Sequence, residues 1–311
     1  MDVAILGSGG VGGVYGGFLA RAGHSVRLWA RGDHLAALRS RGLTVRTPEE
    51  TFTVRVQASD RAEDLAGVAL AIVAVKTYSL EDVAPVARRL AEGGAAVLPL
   101  LNGVEASDRL AALGVPSGAL LCGLTMISAE RTAPGEVRRL SAFQRIVLGE
   151  LAGGTSERAA RIVEALRTAG IESRESATIR VELWEKLVFI ASMATVCGLA
   201  RTAIGPVRSA PQGRVFIAAA VREAVAVGRS RGVALSDEVA PRVTATIEGL
   251  PDAMRPSFLL DLERGGPTEL DALMGAIARM GAEAGVPTPV HSAATAALSA
   301  ALGAGVAGRP R

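Results

Sequence analysis

"DVAILGSGGVGGVYGGFLARAGHSVRLWAR", residues 2–31, decides the fold. An apolar run at 2–6 enters Gly7-x-Gly9-x-x-Gly12, a helical pattern follows over 11–22, and a second apolar run occupies 25–29. The glycines have distinct mechanical reasons. The first makes a tight turn, the second lets backbone approach a pyrophosphate, and the third lets the helix pack close to the strand. The helix N-terminus adds free N–H groups and positive potential. The stretch therefore predicts the opening of a doubly wound parallel sheet, with Gly7, Ser8, Gly9, Gly10, Val11 and Gly12 cradling a dinucleotide. The plainer alternative is a glycine-rich turn in a chain of 36 glycines.

The end of the second strand bears on which dinucleotide. A carboxylate there would hold the ribose 2′-hydroxyl of NAD. Here the strand ends in Arg31, with no acid before Asp33. A guanidinium suits a 2′-phosphate in bidentate geometry, so NADPH is the expected cofactor, unless Arg31 is an ordinary surface arginine.

Further apolar runs at 68–75, 95–100 and 118–127 read as strands, several of them apolar on both faces as in a sheet covered by helices on each side. Helical patterns fall between them at 79–92 and 104–113. Residues 43–56 alternate around Pro-Glu-Glu and read as a hairpin. A second strand pair is expected within 136–149, and a helix over 156–169. From Ala177 the β signal stops. Helical periodicity covers 178–200, 213–231, 236–248, 268–284 and 290–303, with a Gly/Ala-rich tail after 302 expected to fray. The fold class is thus an α/β Rossmann-type N-terminal domain (1–176, NADP-binding) followed by an all-α C-terminal domain (177–311, substrate and catalysis). At 311 residues, two cores are the natural expectation.

Composition narrows the function classes. A net charge of +3 is small for this length, and the basic balance reflects arginines that never deprotonate, so neither nucleic acid nor a membrane is an expected partner. Cys122 and Cys197 lie in apolar stretches without metal-ligand spacing, and no metal is expected. No cationic leader precedes the first apolar run, and the longest apolar run is charge-free for 14 residues, Leu187–Ala200, short of a bilayer. The expectation is a soluble cytoplasmic protein.

Of 34 basic residues only Lys76 and Lys186 are lysine. Lys76 ends a strand, and Asn102, the one asparagine, follows another, so both fall at the carboxyl edge where open α/β sheets bind ligands. A solvated strand end and an Asn-Gly turn are the plain alternatives. Lys186 heads the apolar helix "VELWEKLVFIASMATVCGLA" (181–200). Desolvation there would lower its pKa and make it a usable general acid, which arginine is not. A snorkelling stem is the alternative, though snorkelling would also accept arginine.

Together these residues resemble the ketopantoate reductase family. The likeness extends through "LNG" (101–103), "ELWEKL" (182–187), "PSFLLD" (256–261) and "TELDAL" (268–273). The resemblance implies a cleft between the two domains and NADPH-dependent reduction of a small-molecule 2-oxo acid to a 2-hydroxy acid, in the manner of 2-dehydropantoate 2-reductase. A homodimer is compatible with it. It also implies Lys186 as proton donor, Glu269 beside the cofactor positioning Lys186, and Asn102 touching cofactor and substrate. Ser257 would bind substrate, with Lys76 and Ala129 at the nicotinamide end. Glu269 has a rival explanation, since Thr268 and Asp271 flank it in a capping-box pattern at a helix start, and Ser257 could be a first-turn residue.

The departures concern the substrate side. Family members that reduce ketopantoate carry asparagine one and two turns after the lysine, where this chain has Ile190 and Ala194, and three residues before the serine, where it has Met254. Losing such donors disfavours a hydroxylated substrate, by about 1–3 kcal/mol for each unpaired buried hydroxyl. A less polar 2-oxo acid is therefore expected. The rivals are a hydroxyacid or opine-type dehydrogenase, and an NADPH-binding sensor without turnover.

Overall fold

A computed structural model of the protein describes residues 1–307. Two compact units divide the chain. Met1–Leu101 and Glu105–Arg180 form the first; Asn102–Val104 and the chain from Val181 onward form the second.

The first unit runs β1 (Asp2–Leu6), α1 (Gly10–Arg21), β2 (Ser25–Trp29), α2 (Gly32–Arg41), β3 (Leu43–Arg46), β4 (Thr51–Val54), β5 (Gln57–Ser59), β6 (Leu70–Val73), α3 (Leu80–Glu92), β7 (Ala96–Pro99), α4 (Ala106–Ala112), β8 (Leu121–Met126), β9 (Ala129–Ala133), β10 (Glu136–Arg139), β11 (Arg145–Glu150), α5 (Glu157–Thr168) and β12 (Glu172–Glu175). A parallel sheet in the order β5-β2-β1-β6-β7 is its centre. Side chains alternate between its faces. Val3 and Ile5 of β1 and Leu70 and Ile72 of β6 enter one core, while Ala4, Leu6, Ala71 and Val73 enter the other. Two covered faces explain why these strands are continuously apolar.

Two smaller sheets, β4-β3-β10-β9 and β12-β11-β8, complete the unit. The hairpin expected at 43–56 forms, with Leu43 opposite Val54. The strand pair expected within 136–149 does not. β10 pairs with β9 and β3, and β11 pairs with β8 and β12. The turn chemistry lies earlier, at Pro134-Gly135, where Gly135 takes φ +80° and folds β9 onto β10. The helix α2, unassigned from the sequence, begins straight after Arg31 with Asp33 in its first turn.

The second unit is helical: α6 (Ile179–Ala200, its first two residues in the first unit), α7 (Ile204–Ser209), α8 (Gly213–Ser230), α9 (Val239–Glu248), α10 (Ser257–Arg264), α11 (Met274–Ala284) and α12 (Pro289–Ala307). By length and composition α6 could cross a membrane, yet 67% of its most apolar window is buried in the protein. Leu187, Val188, Ala191, Val196 and Cys197 are fully enclosed. It is the core helix of this unit. The helices expected at 236–248 and 268–284 begin later, at Val239 and Met274. The backbone stays helical through 303–307, where fraying was expected; the rest of that tail lies outside the described residues.

One buried carboxylate anchors α12. The Glu223 carboxylate, on α8, accepts the backbone N–H groups of Val290 (2.8 Å) and His291 (3.0 Å) and the His291 Nδ1–H (2.7 Å). With Pro289 opening the helix, these are first-turn donors that lack intrahelical partners. Burial alone would raise the Glu223 carboxyl, but the His291 ring and the two N–H groups bring it below the ordinary carboxylate range. Its native pKa being depressed, its stabilisation is complete above pH 4.5 and is lost as pH falls from there through the native value. Glu223→Ala should cost about 3–5 kcal/mol in urea unfolding at neutral pH, with a visibly smaller loss at acidic pH. An equal loss at both would show that the carboxylate charge is not what holds α12.

Candidate active site and cofactor cradle

At the carboxyl end of β1 the chain turns through Gly7, whose φ of +105° suits glycine alone. A Cβ at Gly12 would lie 2.1 Å from the Gly7 carbonyl oxygen, and one at Gly10 would lie 2.5 Å from the Ala129 backbone. A Cβ at Gly9 would meet nothing within 4 Å, so its backbone borders open space. Gly9 is also the N-cap of α1, with no side-chain cap and no acid in the first turn. The exposed N–H groups and the unopposed helix dipole fit a pyrophosphate. Ser8 is buried, and its hydroxyl donates to the Trp29 carbonyl (3.1 Å), bracing the loop against β2. Ala129 lies against this loop through the Gly10 contact.

Beside the cradle is a cavity of about 430 Å³, lined by Arg31, Asp33 and His34 and by Arg131 with the hairpin tip at 132–134. The Arg31 guanidinium stacks over Trp29, 4.9 Å from the ring centroid. His34 is buried, its Nε2–H donating to the Ser8 carbonyl (2.9 Å) and its Nδ1 accepting the Gly135 N–H (3.0 Å). Those two contacts fix the neutral tautomer. Burial pushes the ring below its ordinary value, the Arg131 charge pushes the same way, and the Ser8 bond opposes both. Neither His34 nor Arg131 was legible as a site residue. His34 reads as an ordinary helix residue, and Arg131 reaches the cavity only because a hairpin more than ninety residues later packs against α2.

In the helical unit, Lys186, Glu269 and Asn102 come together. Lys186 is half-buried rather than sealed, yet enough protein surrounds its ammonium that desolvation lowers it from 10.5 to about 8, against the pull of Glu269. Glu269 is buried and accepts the Asn102 Nδ2–H at 2.9 Å. It does not open a helix: it precedes the turn at 270–273, and its carbonyl accepts the N–H groups of Ala272 and Leu273. The capping-box explanation therefore falls away. Gly103, at φ +90°, would place a Cβ 3.1 Å from the Ala272 carbonyl oxygen, so the Asn-Gly turn and the polar contact are one device.

The other residues are placed less decisively. Lys76 is exposed just beyond β6, at the carboxyl edge of the parallel sheet. Ile190 is half-buried one turn after Lys186, whereas Ala194 is sealed in the apolar core. Ser257 is exposed as the first residue of α10, and Met254 is exposed before it.

Comparison with known proteins joins these observations. The chain matches the family model "Ketopantoate reductase PanE/ApbA" over residues 3–153 and that of the family's C-terminal domain over 178–301. A 2-dehydropantoate 2-reductase of Halobacterium salinarum is 32% identical over 93% of this chain and 95% of its own. The crystal structure of a PanE/ApbA family ketopantoate reductase from Ralstonia eutropha aligns at TM-score 0.89 and 29% identity, covering 98% of this chain and all of that one. A D-mandelate dehydrogenase, solved with NADH and anilino(oxo)acetate, shares the fold at TM-score 0.87 and 24% identity, over 98% of this chain and all of that one. With both halves matched in order, and with the glycine cradle and the lysine–glutamate–asparagine set in place, the chain belongs to the ketopantoate reductase family of oxidoreductases.

Proposed function

We propose that the protein reduces a 2-oxo acid to a 2-hydroxy acid with NADPH, Lys186 protonating the carbonyl oxygen. The observation that carries this reading is the Lys186 ammonium, lowered to about 8 beside a buried Glu269. Bound NADPH would supply the hydride to the carbonyl carbon. The glycine loop and the first turn of α1 would hold its pyrophosphate, and Arg31 the phosphate on its ribose. Lys186 is protonated at neutral pH, yet close enough to its titration point to release the proton as negative charge develops on the oxygen. Glu269 steadies the ammonium, and the Asn102 amide holds Glu269 in place. Asn102 retains its own carbonyl oxygen as a contact for ligand.

A second reading concerns the substrate. The half-buried position one turn after Lys186 is Ile190, and Met254 precedes Ser257, so neither place offers a hydrogen-bonding side chain. That favours a 2-oxo acid with an apolar side chain over hydroxylated ketopantoate.

Lys186→Ala should lower kcat by about 10²–10⁴, and Lys186→Arg should not restore it. kcat/KM of the native enzyme should fall as pH rises through about 8. Full turnover by Lys186→Ala, or no turnover of any 2-oxo acid by the native protein, would leave a nucleotide-binding protein without this chemistry.

The same amine costs stability. Its native pKa lies below 10.5, so the penalty for folding around a charged lysine is complete below pH 8 and fades as pH rises from 8 to 10.5. Lys186→Met should therefore stabilise the protein at pH 7, by up to about 3 kcal/mol, with the gain shrinking above pH 9. Destabilisation at pH 7 would mean that the amine is well solvated.

A panel of 2-oxo acids, followed by nicotinamide absorbance, tests the substrate reading. Apolar side chains should give kcat/KM of about 10⁴ M⁻¹s⁻¹ or more. Ketopantoate turned over at that level, with apolar acids slower, would overturn it.

A further inference from the structure

The geometry points to Arg131 as a second specificity-determining residue for the cofactor, closing with Arg31 on the phosphate of the adenosine ribose. This rests on the NADPH reading above and assigns a residue that reading does not require.

Arg131 lies on β9, far in sequence from the glycine motif, yet it lines the same cavity as Arg31. Its charge acts on the His34 ring, which itself bonds the Ser8 carbonyl of the cradle. Among the described residues neither Arg31 nor Arg131 has an ion-pair partner. Glu130, next along β9, instead pairs with Arg138. Two unneutralised guanidiniums thus share one cavity with the single carboxylate of Asp33 and a neutral imidazole, which leaves it net positive. A dianionic phosphate monoester suits that balance, whereas a ribose hydroxyl needs only the Asp33 carboxylate.

The hairpin that carries Arg131 is fixed. The Gly135 N–H donates to His34 Nδ1 (3.0 Å), Arg41 Nη2 donates to the Pro134 carbonyl (3.2 Å), and the Gly135 carbonyl accepts the Thr44 N–H (2.9 Å). A Cβ at Gly135 would come within 3.1 Å of Ala37 on α2, so the tip sits directly against the helix that Arg31 precedes. Both arginines are therefore mounted on one braced frame, and the clamp needs little ordering when the phosphate arrives.

Equilibrium binding of NADPH and NADH, and of 2′,5′-ADP against 5′-AMP, tests this by fluorescence or calorimetry without turnover. Arg131→Gln should weaken NADPH and 2′,5′-ADP about 10- to 100-fold and leave NADH and 5′-AMP unchanged. Arg131→Lys should fall between, since charge survives without the planar fork. Thermal melting of both variants should match the native protein. If Arg131→Gln weakens NADPH and NADH equally, or neither, Arg131 does not read the phosphate and the inference is overturned. Arg31→Gln separates the two levels. Lost NADPH preference in Arg31→Gln but not in Arg131→Gln removes only Arg131. A native protein that binds NADH as tightly as NADPH removes the cofactor reading itself.

Discussion

An ammonium set at the head of an apolar helix is the constraint around which the helical unit is arranged. Protein around the Lys186 amine drives its pKa down, and the buried Glu269 carboxylate pulls it back up, leaving it at about 8. Either influence alone would spoil it as the proposed acid. Without the carboxylate it would lose its proton too early, and without desolvation it would hold the proton too firmly. Glu269 is itself a buried charge that needs partners, and the Asn102 amide at 2.9 Å is one of them. The turn that presents Asn102 requires Gly103 at positive φ against Ala272. One titration point thus accounts for a rare asparagine, a glycine at positive φ and a loop acid.

The parallel sheet follows a separate logic. From Val3 onward β1, and all of β6 and β7, bury both faces with apolar side chains, so reactive groups in these strands are left to where they end. Gly7 after β1, Arg31 after β2 and Lys76 after β6 all leave the sheet at its carboxyl edge. The loop after β7 carries this furthest, because Asn102–Val104 already belong with the helical unit, where Val104 packs against that unit's core.

Most of this was legible where the signal is local. The glycine loop, both faces of the central strands, the 43–56 hairpin and the long core helix follow from period and from glycine spacing. Family membership followed from short motifs in order, and the structure brings Lys186, Glu269 and Asn102 together. What the sequence hid was non-local. β10 and β11 look like partners because they are neighbours, but Pro134-Gly135 spends the turn signal earlier and sends them to different sheets. Thr268-x-x-Asp271 has the spacing of a capping box, yet Leu270–Leu273 form a turn and the helix waits until Met274. Ala194 shares the helix face of Lys186 but is sealed by neighbouring helices that no periodicity could announce. His34 and Arg131 gain meaning only from a hairpin packed against α2.

The unequal use of the two basic side chains fits this division. A guanidinium keeps its charge at every physiological pH and forks onto a carboxylate or phosphate, so arginine serves wherever a fixed positive charge is wanted. It does so here in surface pairs such as Arg180 with Asp108, and in the proposed clamp of Arg31 and Arg131. An amine can be moved on the pH scale by its surroundings, and only an amine can give its proton away near neutrality. A chain that writes 32 arginines and two lysines has no general need for lysine. At position 186, arginine would be longer, planar and permanently charged inside a helix that tolerates no other charge from Leu187 to Ala200. In the proposed reaction the carbonyl oxygen must receive a proton as the hydride arrives, and the arginine used almost everywhere else could not supply it.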